Sequence, residues 1–181
     1  MSAKFLTLPN LVTGARLVLA PVIAYQILSH NLWTAFSLLF IAGITDWVDG
    51  YFARLCNMTS KLGKMLDPIA DKILLTSVFC ALFIINRLPW WLAFTIILRD
   101  ISISIGAFFV WKYKLPLSLQ PVLISKINTF LQIVLSLALL LPSENSYVVE
   151  GFLVALIYGT LATTLMSGFL YARLFYQSTH K

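Results

Sequence analysis

The chain is predicted to be an all-α integral membrane protein with six membrane-spanning helices. Three observations lead there. Hydrophobic residues fill 60% of the 181 positions and charged residues only 11%, with a mean hydropathy of +0.89; a soluble domain usually carries about a quarter charged residues. The apolar residues fall in six runs, each near the roughly 20 residues a helix needs to cross the hydrocarbon core. The basic residues collect on one side of those runs, the bias that sets membrane topology.

The first span is expected near 11–29 and is closed by Ser29-His30-Asn31. The second, 32–52, leads into a polar stretch at 55–64. The third, 67–86, stops at Asn86-Arg87-Leu88-Pro89, and the fourth, 89–111, gives way to the segment from Lys112 to Pro121. The fifth, 121–141, ends at Pro142-Ser143-Glu144-Asn145. The sixth, 147–173, exceeds the length of a span and is expected to tilt or to extend past the membrane. Before the first span, Phe5, Leu6 and Leu8 around Lys4 suit a short interfacial segment in the headgroup plane. No internal repeat or low-complexity segment breaks the pattern, so a single domain over 1–181 is expected.

Lys4, Arg16, Arg54, Lys61, Lys64, Lys72, Lys112, Lys114, Lys126, Arg173 and Lys181 lie on or near one side, while the opposite turns carry only Arg87. Both termini and the 55–64 stretch are therefore expected in the cytoplasm or its topological equivalent. The net charge of +6 is spread over short segments between spans. That placement fits anionic headgroups and phosphorylated substrates, not nucleic acid. The opening MSAKFLTLPN lacks a cleavable signal pattern, so the first span is expected to be permanent. Cys56 and Cys80 stand apart without CxxC spacing, and are expected to pack as small apolar residues.

Four of the seven acidic residues fall between Asp46 and Asp71. Asp46 and Asp49 are three apart, and Asp67 and Asp71 are four apart. On helices both spacings put the pair on one face. Span 2 descends into the polar stretch and span 3 returns from it, so the pairs can face each other across a hairpin. Four converging carboxylates repel unless a positive charge sits among them. Arg54 is one candidate; hard divalent cations such as Mg²⁺ or Mn²⁺ are better suited to oxygen ligands, and two can share such a cluster. Gly50, Ala53 and Gly63 keep the region small enough for a ligand to approach the backbone. Arg54 offers a planar fork for phosphate oxygens. The alternative, ordinary ion pairs at a helix boundary, is weaker for four acids in so uncharged a chain, because acids beside lipid are costly and usually functional.

The pattern Asp46-x2-Asp49-Gly50-x2-Ala53-Arg54-x8-Gly63-x3-Asp67-x3-Asp71 resembles the signature of the CDP-alcohol phosphotransferase family at every fixed position. The six-span layout extends the resemblance over nearly the whole chain. It implies a homodimeric membrane enzyme that displaces CMP from a CDP-linked donor with an acceptor hydroxyl. By position, Asp46, Asp49, Asp67 and Asp71 would hold the metals. Asp71 would also be the base that takes the acceptor proton. Gly50, Ala53, Arg54 and Gly63 would line the CDP pocket.

Outside the signature, Leu8-Pro9-Asn10-Leu11-Val12-Thr13-Gly14-Ala15-Arg16 resembles the opening of the branch that makes phosphatidylglycerophosphate and cardiolipin. There Asn10 and Thr13 either approach the nucleotide or cap the first helix. Arg99 and Asp100 in span 4 form either a self-contained ion pair or, through Arg99, a hold on an acceptor phosphate. Lys126 either snorkels to headgroups or joins Arg99 and Asn128 in an acceptor pocket. Asn128 and Gln132 also suit interhelical hydrogen bonds. Leu98-Arg99-Asp100-Ile101 and Ser125-Lys126-Ile127-Asn128-Thr129 are similar to the mitochondrial-type cardiolipin branch. That similarity implies CDP-diacylglycerol as donor and phosphatidylglycerol, with a single phosphodiester charge, as acceptor. Glycerol 3-phosphate carries more charge and would call for more cations; it is the alternative acceptor. A cation transporter is a rival of another class, but it leaves Gly50, Ala53, Arg54 and Gly63 without a role. The lack of a transit peptide points to a bacterial inner membrane, with the mitochondrial inner membrane as the organellar equivalent and the site facing cytoplasm or matrix.

Overall fold

A computed structural model of the chain describes residues 8–55, 61–112, 123–141 and 147–179, and the side chains of 14–45, 69–106, 123–141 and 150–173. Among the described residues the protein is all-helical, with six helices and no strand. They are α1 (Leu8–Leu28), α2 (Leu32–Leu55), α3 (Lys61–Ile84), α4 (Trp90–Lys112), α5 (Leu123–Leu140) and α6 (Tyr147–Thr179). Each coincides with one apolar run. The ends differ in an instructive way. α3 starts at Lys61, so 61–64 is helical and not part of a loop; α2 continues to Leu55 and α6 to Thr179. Hydropathy marks the stretch suited to lipid, whereas the backbone ladder continues into polar residues wherever their own propensity allows. The interfacial segment expected before the first span falls mostly outside the described residues; Leu8 to Asn10 already belong to α1.

Two compact units are present. The first comprises Met1–Arg87 with Leu139–Pro142, and the second Leu88–Ala138 with Ser143–Lys181. In the first, α1 packs against α3 and α2. α1 buries Arg16, Ala20, Ile23 and Ile27, a stripe at helical spacing. α2 buries Ala35, Leu39 and Ala42, and α3 buries Ala70, Leu74, Val78, Phe79 and Leu82. In the second unit α4 packs against α6. Its interior is partly polar: Arg99, Asp100, Asn128, Gln132, Ser136, Thr160, Thr164 and Ser167 are all buried. The outside is apolar, with Phe94, Phe130, Tyr158 and Phe169 exposed. Water would favour the reverse; lipid favours this arrangement. Among the described residues, Leu123–Leu140 and Glu150–Arg173 are long and apolar enough to cross a membrane. Cys80, expected to pack inside, is exposed on α3. A small thiol fits an exposed apolar helix face as well as a core.

Two tight turns are closed by the same device. His30 and Asn86 have φ of 59°. After α1, His30 N–H donates to Ile27 O at 3.0 Å and Asn31 N–H to Gln26 O at 2.9 Å. After α3, Asn86 N–H donates to Phe83 O at 2.9 Å and Arg87 N–H to Leu82 O at 3.0 Å. Both are Schellman caps, whose left-handed residue is usually Gly or Asn. Arg87, the one base expected on this side, has its Nη1 donating to Leu139 O at 2.8 Å and Leu141 O at 3.1 Å. It thereby satisfies carbonyls at the end of α5 that the helix leaves open.

The left-handed conformation penalises histidine more than asparagine. His30→Gly is therefore expected to stabilise the protein by about 0.5–1 kcal/mol, and Asn86→Gly by less. Thermal unfolding of both variants in detergent measures the order; a lower midpoint for His30→Gly would refute it.

Candidate functional site

The helical backbone runs unbroken through the carboxylate signature on both sides. Asp46, Asp49, Gly50, Ala53 and Arg54 lie in the C-terminal part of α2, and Gly63, Asp67 and Asp71 in the N-terminal part of α3. The spacing argument therefore stands on real helices: Asp46 and Asp49 share a face, and Gly63, Asp67 and Asp71 follow one another a turn apart. The side chains of Asp46, Asp49, Gly50, Ala53, Arg54, Gly63 and Asp67 lie outside the described residues, as do those of Asn10 and Thr13 in α1.

Asp71 is described, and it is not isolated. Its Oδ1 accepts from Nη1 of Arg16 on α1. The partners differ sharply in exposure, 6% for the Arg16 side chain and 43% for that of Asp71. The guanidinium is thus embedded between helices while the carboxylate keeps an open side. The position read from sequence only as one more topological charge is thereby tied to the key carboxylate. The available signal was an arginine at the fourth residue of the apolar stretch beginning at Thr13, facing the same way as Ala20 and Ile23.

The residues expected to meet the acceptor lie in the second unit. Arg99 and Asp100 form an ion pair at 2.6 Å, with side chains only 4% and 6% exposed. Arg99 Nη2 also donates to Ser125 Oγ at 2.7 Å and to Ser167 Oγ. Asn128 is fully buried. Its Oδ1 accepts from Thr163 Oγ1 at 2.9 Å and Thr164 Oγ1 at 2.8 Å. Ser125 and Asn128 are one turn apart on α5; Thr164 and Ser167 are one turn apart on α6. The two helices thus meet through matched polar rungs, with Arg99 at one end. Lys126 is exposed on α5, off this seam. Arg99 and Asn128 are brought to one polar interior and engaged by protein groups; Lys126 is not brought there. The α6 hydroxyls were not singled out from sequence. Their signal was Thr160, Thr164 and Ser167 recurring at helical spacing in an apolar span.

Among the described residues no group of three or more His, Cys, Asp or Glu could hold a metal ion. Only Asp71 of the four signature carboxylates has a described side chain. Four carboxylates on two helices, one with a half-open side chain, suit hard cations that prefer oxygen.

Comparison with known proteins bears on this site. The family model for CDP-alcohol phosphatidyltransferase matches residues 6–166. A protein named cardiolipin synthase (CMP-forming) from Rattus norvegicus is 34% identical over 181 residues, covering 91% of this chain and 60% of its own length. A probable cardiolipin synthase (CMP-forming) from Drosophila melanogaster is 39% identical over 147 residues, covering 72% of this chain and 45% of its own length. A chloroplastic CDP-diacylglycerol–glycerol-3-phosphate 3-phosphatidyltransferase from Oryza sativa subsp. japonica is 31% identical over 182 residues, covering 91% of this chain and 55% of its own length. The chain thus spans about three-fifths or less of the length of these relatives.

Removing Arg99 would take away the cation that faces the buried Asp100 carboxylate. Arg99→Met is expected to cost about 3–5 kcal/mol, read as a lowered unfolding midpoint in detergent. A variant that melts like the parent but loses affinity for an acceptor phosphate would instead assign Arg99 to acceptor binding.

Proposed function

The chain belongs to the CDP-alcohol phosphatidyltransferase family, and from that membership we propose that it transfers a phosphatidyl group from CDP-diacylglycerol to phosphatidylglycerol, releasing CMP and forming cardiolipin. The observation that carries this reading is the pair of carboxylate pairs at helical spacing on α2 and α3, with Asp71 half open. The identity to the rat and fruit-fly relatives over most of this chain supports the choice of acceptor.

The proposed roles follow from the chemistry of each group. Asp46, Asp49, Asp67 and Asp71 hold two Mg²⁺ or Mn²⁺ ions. Bound there, the cations neutralise the donor diphosphate and stabilise the leaving CMP. Gly50, Ala53 and Gly63 leave room for the nucleotide against the helices. Arg54 forks onto the diphosphate, and Asn10 and Thr13 contribute to the nucleotide side. Asp71 accepts the proton of the acceptor hydroxyl as that oxygen bonds to the phosphatidyl phosphorus. The bond from the same phosphorus to the CMP oxygen breaks, and CMP leaves. Acceptor recognition falls to Arg99, Lys126 and Asn128. Lys126 is exposed and suited to direct contact with a phosphodiester, while Arg99 and Asn128, already hydrogen-bonded, shape the polar interior of their own unit.

The same proposal includes six spans, both termini cytoplasmic, and the carboxylates at the cytoplasmic or matrix face of the membrane. Exposed Trp33 and Trp90 at the starts of α2 and α4 support it, since tryptophan favours the membrane–water boundary. The family match runs through residues of both compact units, which supports one functional domain. A homodimer is implied by the family resemblance. The rice relative favours keeping a second reading, in which glycerol 3-phosphate is the acceptor.

One assay tests both. Purified protein receives CDP-diacylglycerol, Mg²⁺ or Mn²⁺, and either acceptor, with products identified by lipid mass spectrometry. Cardiolipin and CMP are expected with phosphatidylglycerol, and none with EDTA. Phosphatidylglycerophosphate as the product would establish the second reading. Asp71→Asn is expected to lower turnover by about 10²–10⁴-fold, the usual range for a lost general base; full turnover would remove Asp71 from that role.

A further inference from the structure

We propose that Arg16 is a positioning residue for Asp71: a fixed internal cation that aims the carboxylate and offsets the charge of the acidic cluster when divalent ions are away. This rests on the reading of Asp71 as metal ligand and base.

Three observations converge on it. First, Arg16 is buried and is the one charged residue of α1, where a guanidinium without a counter-charge is costly. Its Nη1 closes on Asp71 Oδ1 across the packed faces of α1 and α3. Second, the burial is one-sided. The embedded Arg16 is held by packing, whereas packing constrains a carboxylate with 43% exposure less. The rigid partner therefore limits the directions open to the exposed one. Third, small residues adjoin both members. Ala20, one turn beyond Arg16, and Ala70, next to Asp71, are fully buried, which suits a close approach of the two helices. Arginine also keeps its charge at any physiological pH, and its fork fixes direction as well as distance. A group that fixes a metal-binding carboxylate in this way typically matters about 10–100-fold in activity or affinity.

The positive charge near Asp71 competes with a divalent ion, yet its geometry serves the reaction. Removing it should separate the two effects. The test compares parent, Arg16→Met, Arg16→Lys, Asp71→Asn and the double variant Arg16→Met/Asp71→Asn, all full-length in detergent. Unfolding midpoints are read with EDTA and with saturating Mn²⁺, Mn²⁺ binding is followed by electron paramagnetic resonance, and CMP release is measured at full Mn²⁺ occupancy. Arg16→Met should melt lower in EDTA and gain more from Mn²⁺ than the parent. It should still bind Mn²⁺, yet lose about 10–100-fold in turnover. The loss should fall on kcat, with the KM for CDP-diacylglycerol changing by no more than about twofold. Arg16→Lys should recover part of the turnover. In the Asp71→Asn background the same arginine change should alter the midpoint much less.

Equal destabilisation in both backgrounds, with an unchanged Mn²⁺ gain, would reduce Arg16 to a packing residue and overturn the proposal. So would parental turnover in Arg16→Met, or its failure to bind Mn²⁺ while folded. If Arg16→Met does not fold, Arg16→Lys with and without Asp71→Asn carries the same comparison. If the parent itself releases no CMP, the assigned reaction falls, while the coupling between Arg16 and Asp71 in melting and Mn²⁺ response is still read.

Discussion

A guanidinium on α1 closes on a carboxylate on α3, and the cost of leaving either charge alone among apolar neighbours governs how the first unit is built. α1 presents Arg16, Ala20, Ile23 and Ile27 to its neighbours because that face must deliver the cation as well as bury alkyl groups. Small residues at Ala20 and Ala70 let the helices come near enough for the pair to form. A soluble protein would leave such a pair on its surface, worth little. Val18 and Val22 are exposed on the other side of α1, while Arg16 is buried. The ion pair therefore sets the register of α1 against α3.

The second unit resolves the same constraint differently. Arg99 and Asp100 neutralise each other within one helix, although neighbouring residues do not ordinarily share a helical face. Two serines accept from Nη2 of Arg99. Both side chains are almost wholly buried, whereas Asp71 remains half open. The contrast is one of exposure: one pair is shut away among protein groups, and the other keeps its carboxylate partly exposed.

Much of this was legible in the residues. Six apolar runs became six helices, and the three- and four-residue spacings of the aspartates fall on continuous helix. Helix ends were less legible, because Lys61 to Lys64 are polar enough to suggest a loop yet helical in fact. The partners of Arg16 and Asn128 were not legible at all. Hydropathy reports a side chain's affinity for lipid, and says nothing of which carboxylate 55 positions away, or which hydroxyl 35 or 36 away, will stand opposite. The pairing of Arg99 with its own neighbour was one of two readings of the residues, and the structure joins the two in an ion pair. His30 as a left-handed cap was equally hidden, since histidine is not the residue such a turn prefers.

The placement of chemistry follows from the same physics. In soluble enzymes the working residues cluster on loops, where backbone irregularity is solvated at little cost. Here Asp46, Asp49, Asp67, Asp71, Arg99, Lys126 and Asn128 all lie on helices. Irregular backbone is expensive in hydrocarbon, because each unpaired amide must find a partner without water. The tight turns after α1 and α3 close their own hydrogen bonds, and Arg87 seals the end of α5. Such turns have no backbone groups to spare for a substrate. A chain under this constraint must build its binding groups from side chains at helical spacing. It can then tune their direction only by what a neighbouring helix presents. That is why a partner of Asp71 comes from α1, far away in sequence.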